Sequence, residues 1–398
     1  MARFELRVGG EIYSGWKSLT VVRGLEQATS TFDLSVSEKW PLLETAKAWQ
    51  IMPGNAAEIY LDDELLLTGY VDAYNPGYSA TGHEIGCSGR SKTCDFVDSS
   101  ITQTDGQFKK MTPGQIARML AAPFGIEVVS DYDGEPVPDA QAEQGETCFA
   151  IVERLSRLQE ILITDDQYGR LVLTRAGAGQ CSTVLEQGVN ILEASATHDD
   201  SERFSDYIVK AQRPGSTRTK DDWSHIQPIP PGVSPGARFA MERRAGAAKG
   251  TKPKTLTQII GQTRDEGITR YRAHVIVAEA QADGADAQKR ADWEMRRRLA
   301  RSKEAQVTVN GWRQRDGRLW QQNENVYILS PWLDLAEPLL ISEVEFSYSD
   351  AGEVVTLTLV LPDTFLPEPK RKTKADAKKK AGGDGGTWAH IIKDSGKT

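Results

Sequence analysis

The sequence predicts an α+β, mainly β protein built from two similar small antiparallel β-barrel domains with α/β insert domains between them. Three observations carry this expectation. Apolar and polar residues alternate over many short runs, as on one-sided strands. A helix followed by a β-meander occupies residues 283–362. The order of features in that meander also repeats an order found near the N-terminus.

Taken in order, Phe4, Leu6 and Val8 alternate with Arg3, Glu5 and Arg7, and Gly9-Gly10 turns the chain. Leu19 and Val21, then Phe32, Leu34 and Val36, continue the alternation until Trp40-Pro41, where proline cannot donate to a ladder. Ile59 and Leu61 lead through Asp62-Asp63-Glu64 into Leu65–Val71, a hairpin pattern. Tyr70–Tyr74 and Glu84–Ser88 read as another. Residues 1–100 are the first barrel on this reading, completed by about 186–214.

Residues 101–185 read as an α/β insert. Thr112 is a helix N-cap with Pro113 at the first helical position, and Pro123 and Gly125 stop that helix. A second helix begins near Gly145-Glu-Thr and carries Phe149, Val152, Leu155 and Leu158. A hairpin follows, Glu160–Thr164 and Arg170–Arg175. Tyr207–Gln212 reads as a strand. Residues 215–282 form a second insert, with a long Pro/Gly-rich loop over Arg213–Lys254 and a strand over Ile268–Glu279.

In 283–362 the helix carries Ala285, Ala291, Met295 and Leu299 at near-helical spacing. Strands are expected over Ala305–Trp312, Glu324–Leu329, Leu339–Ser349 and Glu353–Leu361 as the second barrel. Residues 363–398 are a basic flexible tail ending in the apolar Trp388-Ala-His-Ile-Ile, either a plain sticky end or a docking peptide.

The internal echo runs as follows. Asn55 opens a strand, Leu66–Val71 forms the next, Tyr78-Ser-Ala-Thr-Gly turns, and His83 begins the return. Asn323, Leu339–Val344, Tyr348-Ser-Asp-Ala-Gly and Glu353 follow in the same order. Duplication is favoured over a chance likeness between meanders.

At 398 residues the chain exceeds one ordinary core. No window approaches the roughly 18 apolar residues of a membrane span, so no membrane insertion is expected. The N-terminus reads as a strand rather than a signal peptide, which places synthesis in a cytoplasm. A net charge of −8 argues against a grip on nucleic acid over the whole surface.

No catalytic, cofactor-binding or metal-ligating residue is assigned. The four cysteines form no Cys-x-x-Cys pair, and packing explains His83 with Cys87 and Cys94 better than a metal does. His198-Asp199-Asp200 sits in a charged loop, and Asp62-Asp63 and Asp221-Asp222 read as turn residues. Arg296-Arg-Arg-Leu-Ala-Arg lies among Asp292, Glu294 and Glu304, as on a solvated helix face. No phosphate loop, nucleophile elbow or His-Glu-x-x-His occurs. The expectation is therefore no enzyme and no cofactor, although non-adjacent glycosidase acids leave no sequence trace.

A set of stretches in fixed order resembles the baseplate hub proteins of Mu-like contractile-tailed bacteriophages (tail protein P). More distantly it resembles late-control D proteins and the hub part of type VI secretion spikes. The stretches include Leu6-Arg-Val-Gly-Gly, Phe32-Asp-Leu-Ser-Val, Thr68-Gly-Tyr-Val-Asp, Ser88-Gly-Arg-Ser-Lys-Thr-Cys-Asp-Phe, Gly169-Arg-Leu-Val-Leu-Thr-Arg, Trp293-Glu-Met-Arg-Arg-Arg and Leu357-Thr-Leu. The resemblance runs nearly to Pro362 and does not extend to the basic tail.

The resemblance implies a homotrimer whose paired barrels make a quasi-sixfold ring between a sixfold tail tube and a threefold central spike. It implies the spike, a tube or tube-initiator protein and baseplate wedge proteins as partners, with DNA passing through unbound. Its place would be the virion tail baseplate, assembled in the host bacterial cytoplasm. Two alternatives stay open at this stage: a tail-associated cell-wall hydrolase, and the hub of a phage-derived injection device.

Overall fold

The computed structural model describes residues 4–13, 16–25, 27–38, 51–78, 83–102, 105–157, 159, 161–217, 255–277, 284–350 and 352–365. The chain divides into two compact units, Met1–Glu202 with Arg297–Pro367, and Arg203–Arg296 with Glu368–Thr398.

The first unit begins with β1 (Phe4–Val8), β2 (Glu11–Tyr13), β3 (Ser18–Gly24), β4 (Thr31–Glu38), β5 (Ala56–Leu61), β6 (Glu64–Tyr78) and β7 (His83–Ser91). Asp62 and Asp63, at φ 46° and 70°, make the left-handed two-residue turn that matches strand twist between β5 and β6. Where two hairpins sharing Tyr70 and Val71 were expected, β6 is one strand of 15 residues serving both.

The α/β insert follows: α1 (Cys94–Asp98), β8 (Gln107–Met111), α2 (Pro113–Ala121), β9 (Val128–Ser130), β10 (Val137–Gln141), α3 (Cys148–Arg157), β11 (Leu162–Asp165) and β12 (Leu171–Thr174). It has its own core, in which Phe96, Phe108, Ile116, Leu120, Ile151 and Leu171 are buried. Thr112 caps α2 as expected. Its hydroxyl accepts from Gln115 N at 3.1 Å, and Gln115 Oε1 accepts from Thr112 N at 3.0 Å. Thr112→Ala removes that reciprocal cap and is expected to cost about 1 kcal/mol, read from the urea midpoint of the unfolding step that reports the insert.

After β13 (Gly179–Gln180), β14 (Leu185–Glu186) and β15 (Ile191–His198), the chain enters the second unit. There β16 (Asp206–Thr217), β17 (Thr255–Arg264) and β18 (Ala273–Val277) form a three-stranded sheet in the order β17-β16-β18. The strand expected over Ile268–Glu279 starts only at Ala273. Before it, Asp265 holds a turn, accepting from Gly267 N at 3.0 Å and Ile268 N at 3.3 Å. The helix α4 (Gly284–Arg301) packs Ala287 and Ala291 against Val209 in this unit. A side chain at Gly261 would collide with the Ala287 backbone, so β17 needs glycine at that point.

Back in the first unit come β19 (Lys303–Asn310), β20 (Glu324–Ser330), β21 (Leu335–Ser349) and β22 (Gly352–Val360). They do not form a separate sheet. A 14-stranded sheet runs β15-β19-β22-β21-β3-β4-β7-β6-β5-β1-β2, with β20 on β21 and β13 and β14 on β20. The two expected barrels are thus two halves of one sheet, joined where β21 pairs β3. Neither half closes its ladder: among the described residues β15 does not pair β20, and β2 does not pair β3. The expectation that 186–214 would complete the first barrel is corrected. β14 pairs β20, β15 pairs β19, and β16 belongs to the other unit.

One core serves both halves. It gathers Leu6, Leu19, Phe32 and Ile59 from the first with Val307, Ile328, Phe346 and Leu357 from the second. Among the described residues, no helix is long and apolar enough to cross a membrane.

Candidate functional sites: a repeated strand set, its seam and its polar joints

The two halves repeat a strand order. β5-β6-β7-β4-β3 in the first matches β20-β21-β22-β19-β15 in the second, and every neighbouring pair in both is antiparallel. The long strands β6 and β21 each have 15 residues, and β7 and β22 each have nine. Each long strand bulges where it leaves its shorter neighbour, at Asp72 and at Ser342. A bulge redirects a strand and is a designed feature, so two at matching positions argue for one architecture used twice.

Aligning the bulges makes Tyr78 and Tyr348 equivalent, as the shared turn in the sequence suggested. It also corrects the echo elsewhere. Asn323 corresponds to Gly54, not Asn55. Both have left-handed φ (68° and 87°), and their N–H groups donate to Ile341 O and Val71 O respectively. The shared asparagines obscured this, because the left-handed position takes either glycine or asparagine.

The seam between the halves pairs Leu19–Gly24 of β3 with Glu343–Tyr348 of β21. On its inner face Leu19, Val21 and Phe346 are buried. Its outer face carries Glu343, Glu345 and Ser347, with Ser347 Oγ donating to Glu345 at 2.9 Å. Burial, then the neighbouring Glu345 and Glu304 charges, push the Glu343 carboxyl above its ordinary range. A cleft of about 540 Å³ lies beside the seam, lined among others by Leu25, Arg301, Lys303, Glu304 and Glu343. Both acids and bases line it, with no cluster of one sign.

Buried polar joints fix the insert to the sheet. Asp165, 1% exposed, accepts from Ser30 N at 2.9 Å and from Ser30 Oγ at 2.7 Å. Nearby Arg23 is also buried; burial lowers its pKa, and the charges of Asp165 and Asp166 oppose that shift. Asn323 accepts from Gly177 N and donates to Arg175 O, both at 2.8 Å. Glu324 accepts from Gln314 Nε2 at 2.7 Å, Arg318 Nη1 at 2.9 Å and the Cys181 thiol at 3.3 Å.

The weighed residues do not converge. Cys87 lies in the sheet core and Cys94 opens α1; burial raises both thiols, to about 12 and about 11. Burial, then the Glu324 carboxylate, push Cys181 up as well, so it is held as a thiol rather than a nucleophile. His198 Nε2 lies 3.2 Å from Leu333 O, tying the end of β15 to the turn after β20. Asp199 caps Ser201 N at 2.7 Å. Arg298 pairs with Glu202 at 2.9 Å, while Asp292 accepts from Gln288. Among the described residues no three His, Cys, Asp or Glu side chains are arranged to hold a metal. Asp221-Asp222 and the tail with Trp388 lie outside the described residues.

What the sequence reading missed is β15, together with the exposed apolar residues near it: Val189, Leu192 and, at 86% exposure, Trp332. The Pro331-Trp332-Leu333 turn was the available signal.

Family models match three stretches. Residues 3–91 match the N-terminal domain of Mu phage baseplate assembly protein GpP-like proteins, and 93–175 the second domain of gp44-like baseplate hub proteins. Residues 283–368 match the fourth domain of Mu phage baseplate assembly protein GpP. The baseplate hub protein gp44 of Escherichia phage Mu is 30% identical over 386 residues, covering 95% of this chain and 92% of that protein. The 43 kDa tail protein of prophage MuSo2 from Shewanella oneidensis has 32% identity and a TM-score of 0.74 over 91% of this chain and 99% of its own. A tail protein from Neisseria meningitidis MC58, at 20% identity, shares the fold with a TM-score of 0.68 over 92% of this chain and 99% of its own.

The fold is that of a structural phage tail protein. The chain belongs to the Mu-like baseplate hub protein family.

Proposed function

We propose that this chain works as a homotrimeric hub at the centre of a contractile phage tail baseplate. Three chains, each supplying two matched strand sets, present six quasi-equivalent positions. That number lets one face meet a sixfold tail tube or its initiator while the other holds a threefold central spike, with wedge proteins outside. The hub acts through surfaces and strand edges rather than through a catalytic pocket. The single observation supporting this most directly is the strand order repeated within one chain of this family.

In such a ring each half is one sixth of the circumference. The net charge of −8 suits a channel through which DNA phosphates slide without being held.

The purified protein is expected to sediment at three times its 43.9 kDa mass at raised concentration. A protein that stays monomeric at every concentration and salt overturns the reading.

A further inference from the structure

The seam between the halves has a second, unused copy. Because β3 corresponds to β15 and β21 to β6, the in-chain contact of β21 with β3 has a counterpart, β6 with β15, that the single chain does not make. We propose that the outer edge of β6 in one chain is completed by β15 of a second copy, in the register of the β3–β21 ladder. This rests on the hub reading above and specifies its subunit contact.

The register follows from the ladders already described. Glu343–Tyr348 corresponds to Ala73–Tyr78 through the matched bulges. Leu19–Gly24 corresponds to Ala194–Asp199, because Leu19 pairs Leu34 where Ala194 pairs Val307, and β4 and β19 hold the same place beside β7 and β22. Transferring the pairs Phe346 with Val21 and Glu345 with Val22 gives Pro76 opposite Ala196 and Asn75 opposite Thr197.

Exposure fits this placement. In the seam, Leu19, Val21, Val344 and Phe346 are at most 1% exposed. In the unmade copy their counterparts Ala194, Ala196, Tyr74 and Pro76 are only partly buried or, for Pro76, exposed. β15 is laddered only to β19, and beyond Tyr70 β6 is laddered only to β7 among the described residues. Ala194 and Ala196 already point toward the core, so an added neighbour keeps the alternation of faces.

Leu25 N donates to Ser342 O at 2.8 Å, which sets the hydrogen-bonding parity of the seam. By that parity Pro76 sits with its missing N–H on the β6 edge facing away from β7, where proline is tolerated. At that pair the added strand gives one bond instead of two. The contact is heterologous, so repeated from copy to copy it makes a ring where the rotation closes after three copies, and it covers two edges that are otherwise templates for disordered association.

The test is cross-linking by register. Asn75 and Thr197 form a non-hydrogen-bonded pair in the predicted ladder, close enough for a disulfide. Asn75→Cys with Thr197→Cys in one chain is expected to give covalent dimers and trimers on mild oxidation. Each single variant should give none. Asn75→Cys with Ser195→Cys, displaced by two residues, should give several-fold less. The native cysteines do not compete, since Cys87, Cys94 and Cys148 are buried and the Cys181 thiol is raised.

A protein of trimeric mass in which the Asn75–Thr197 pair does not link, or links no better than the displaced pair, overturns this contact and leaves the trimer standing. A protein that never exceeds monomeric mass overturns both.

Discussion

Asp165→Ala is expected to destabilise the sheet-bearing unit by about 3–5 kcal/mol, the scale for removing one side of a buried charge arrangement. The Asp165 carboxylate takes two hydrogen bonds from Ser30 and is the foremost anion opposing the buried charge of Arg23. Alanine would leave the Ser30 hydroxyl without its acceptor and the guanidinium without that counter-charge. Asp165→Asn keeps an acceptor but loses the charge, and should fall between wild type and alanine. Urea denaturation followed by far-ultraviolet circular dichroism reads the difference. A loss under about 1 kcal/mol for alanine, within the range of an ordinary hydrogen bond, would show that this joint is not buried as described.

Trp312→Ala is expected to cost a similar amount, about 3–5 kcal/mol, as for other large core aromatics. Trp312 is 2% exposed, its ring centroid lies 4.5 Å from Phe4 and 5.5 Å from Phe346, and its Nε1 donates to Ser347 O at 3.1 Å. Phe4 belongs to the first half of the sheet and Phe346 to the second, so truncation opens a cavity that both line. The halves should therefore lose stability together, in one shifted transition. If Trp312→Ala unfolds the second half while the first keeps its wild-type midpoint, the shared core is wrong. Trp312→Phe keeps most of the ring contact and should lose closer to 1 kcal/mol, mainly the indole hydrogen bond.

Much of this architecture was legible in the sequence, for identifiable reasons. β1, β3, β4, β21 and β22 carry large apolar residues at every second position, so each buried face announces itself. α2 carries a capping box and α4 a helical period. β15 was not legible. Its inward residues are alanines and its outward ones Glu193, Ser195 and Thr197, a weak alternation suited to a sheet edge. β6 was read too short at its end, where Asn75-Pro76-Gly77 has the composition of a loop, and β21 at its start, where Pro338 interrupts the run. Most hidden was the fusion of the two halves. Pairing between strands more than 300 residues apart, such as Val21 with Phe346, leaves no local pattern. The candidate contact surfaces suffer the same limit, since an edge is defined by what does not pair with it.

The seam of β3 and β21 has a kinetic consequence. Its two strands share a polypeptide, so each meets the other at an effective concentration on the order of millimolar, however dilute the protein is. A contact between separate chains has no such advantage and waits for encounter. Half of the six junctions in a ring of three chains would thus form during folding, with no dependence on dose. The other half would form only as copies accumulate. Tethering two wedges in one chain turns a six-body encounter into a three-body one, and removes the closed rings of five or seven that free single wedges can form.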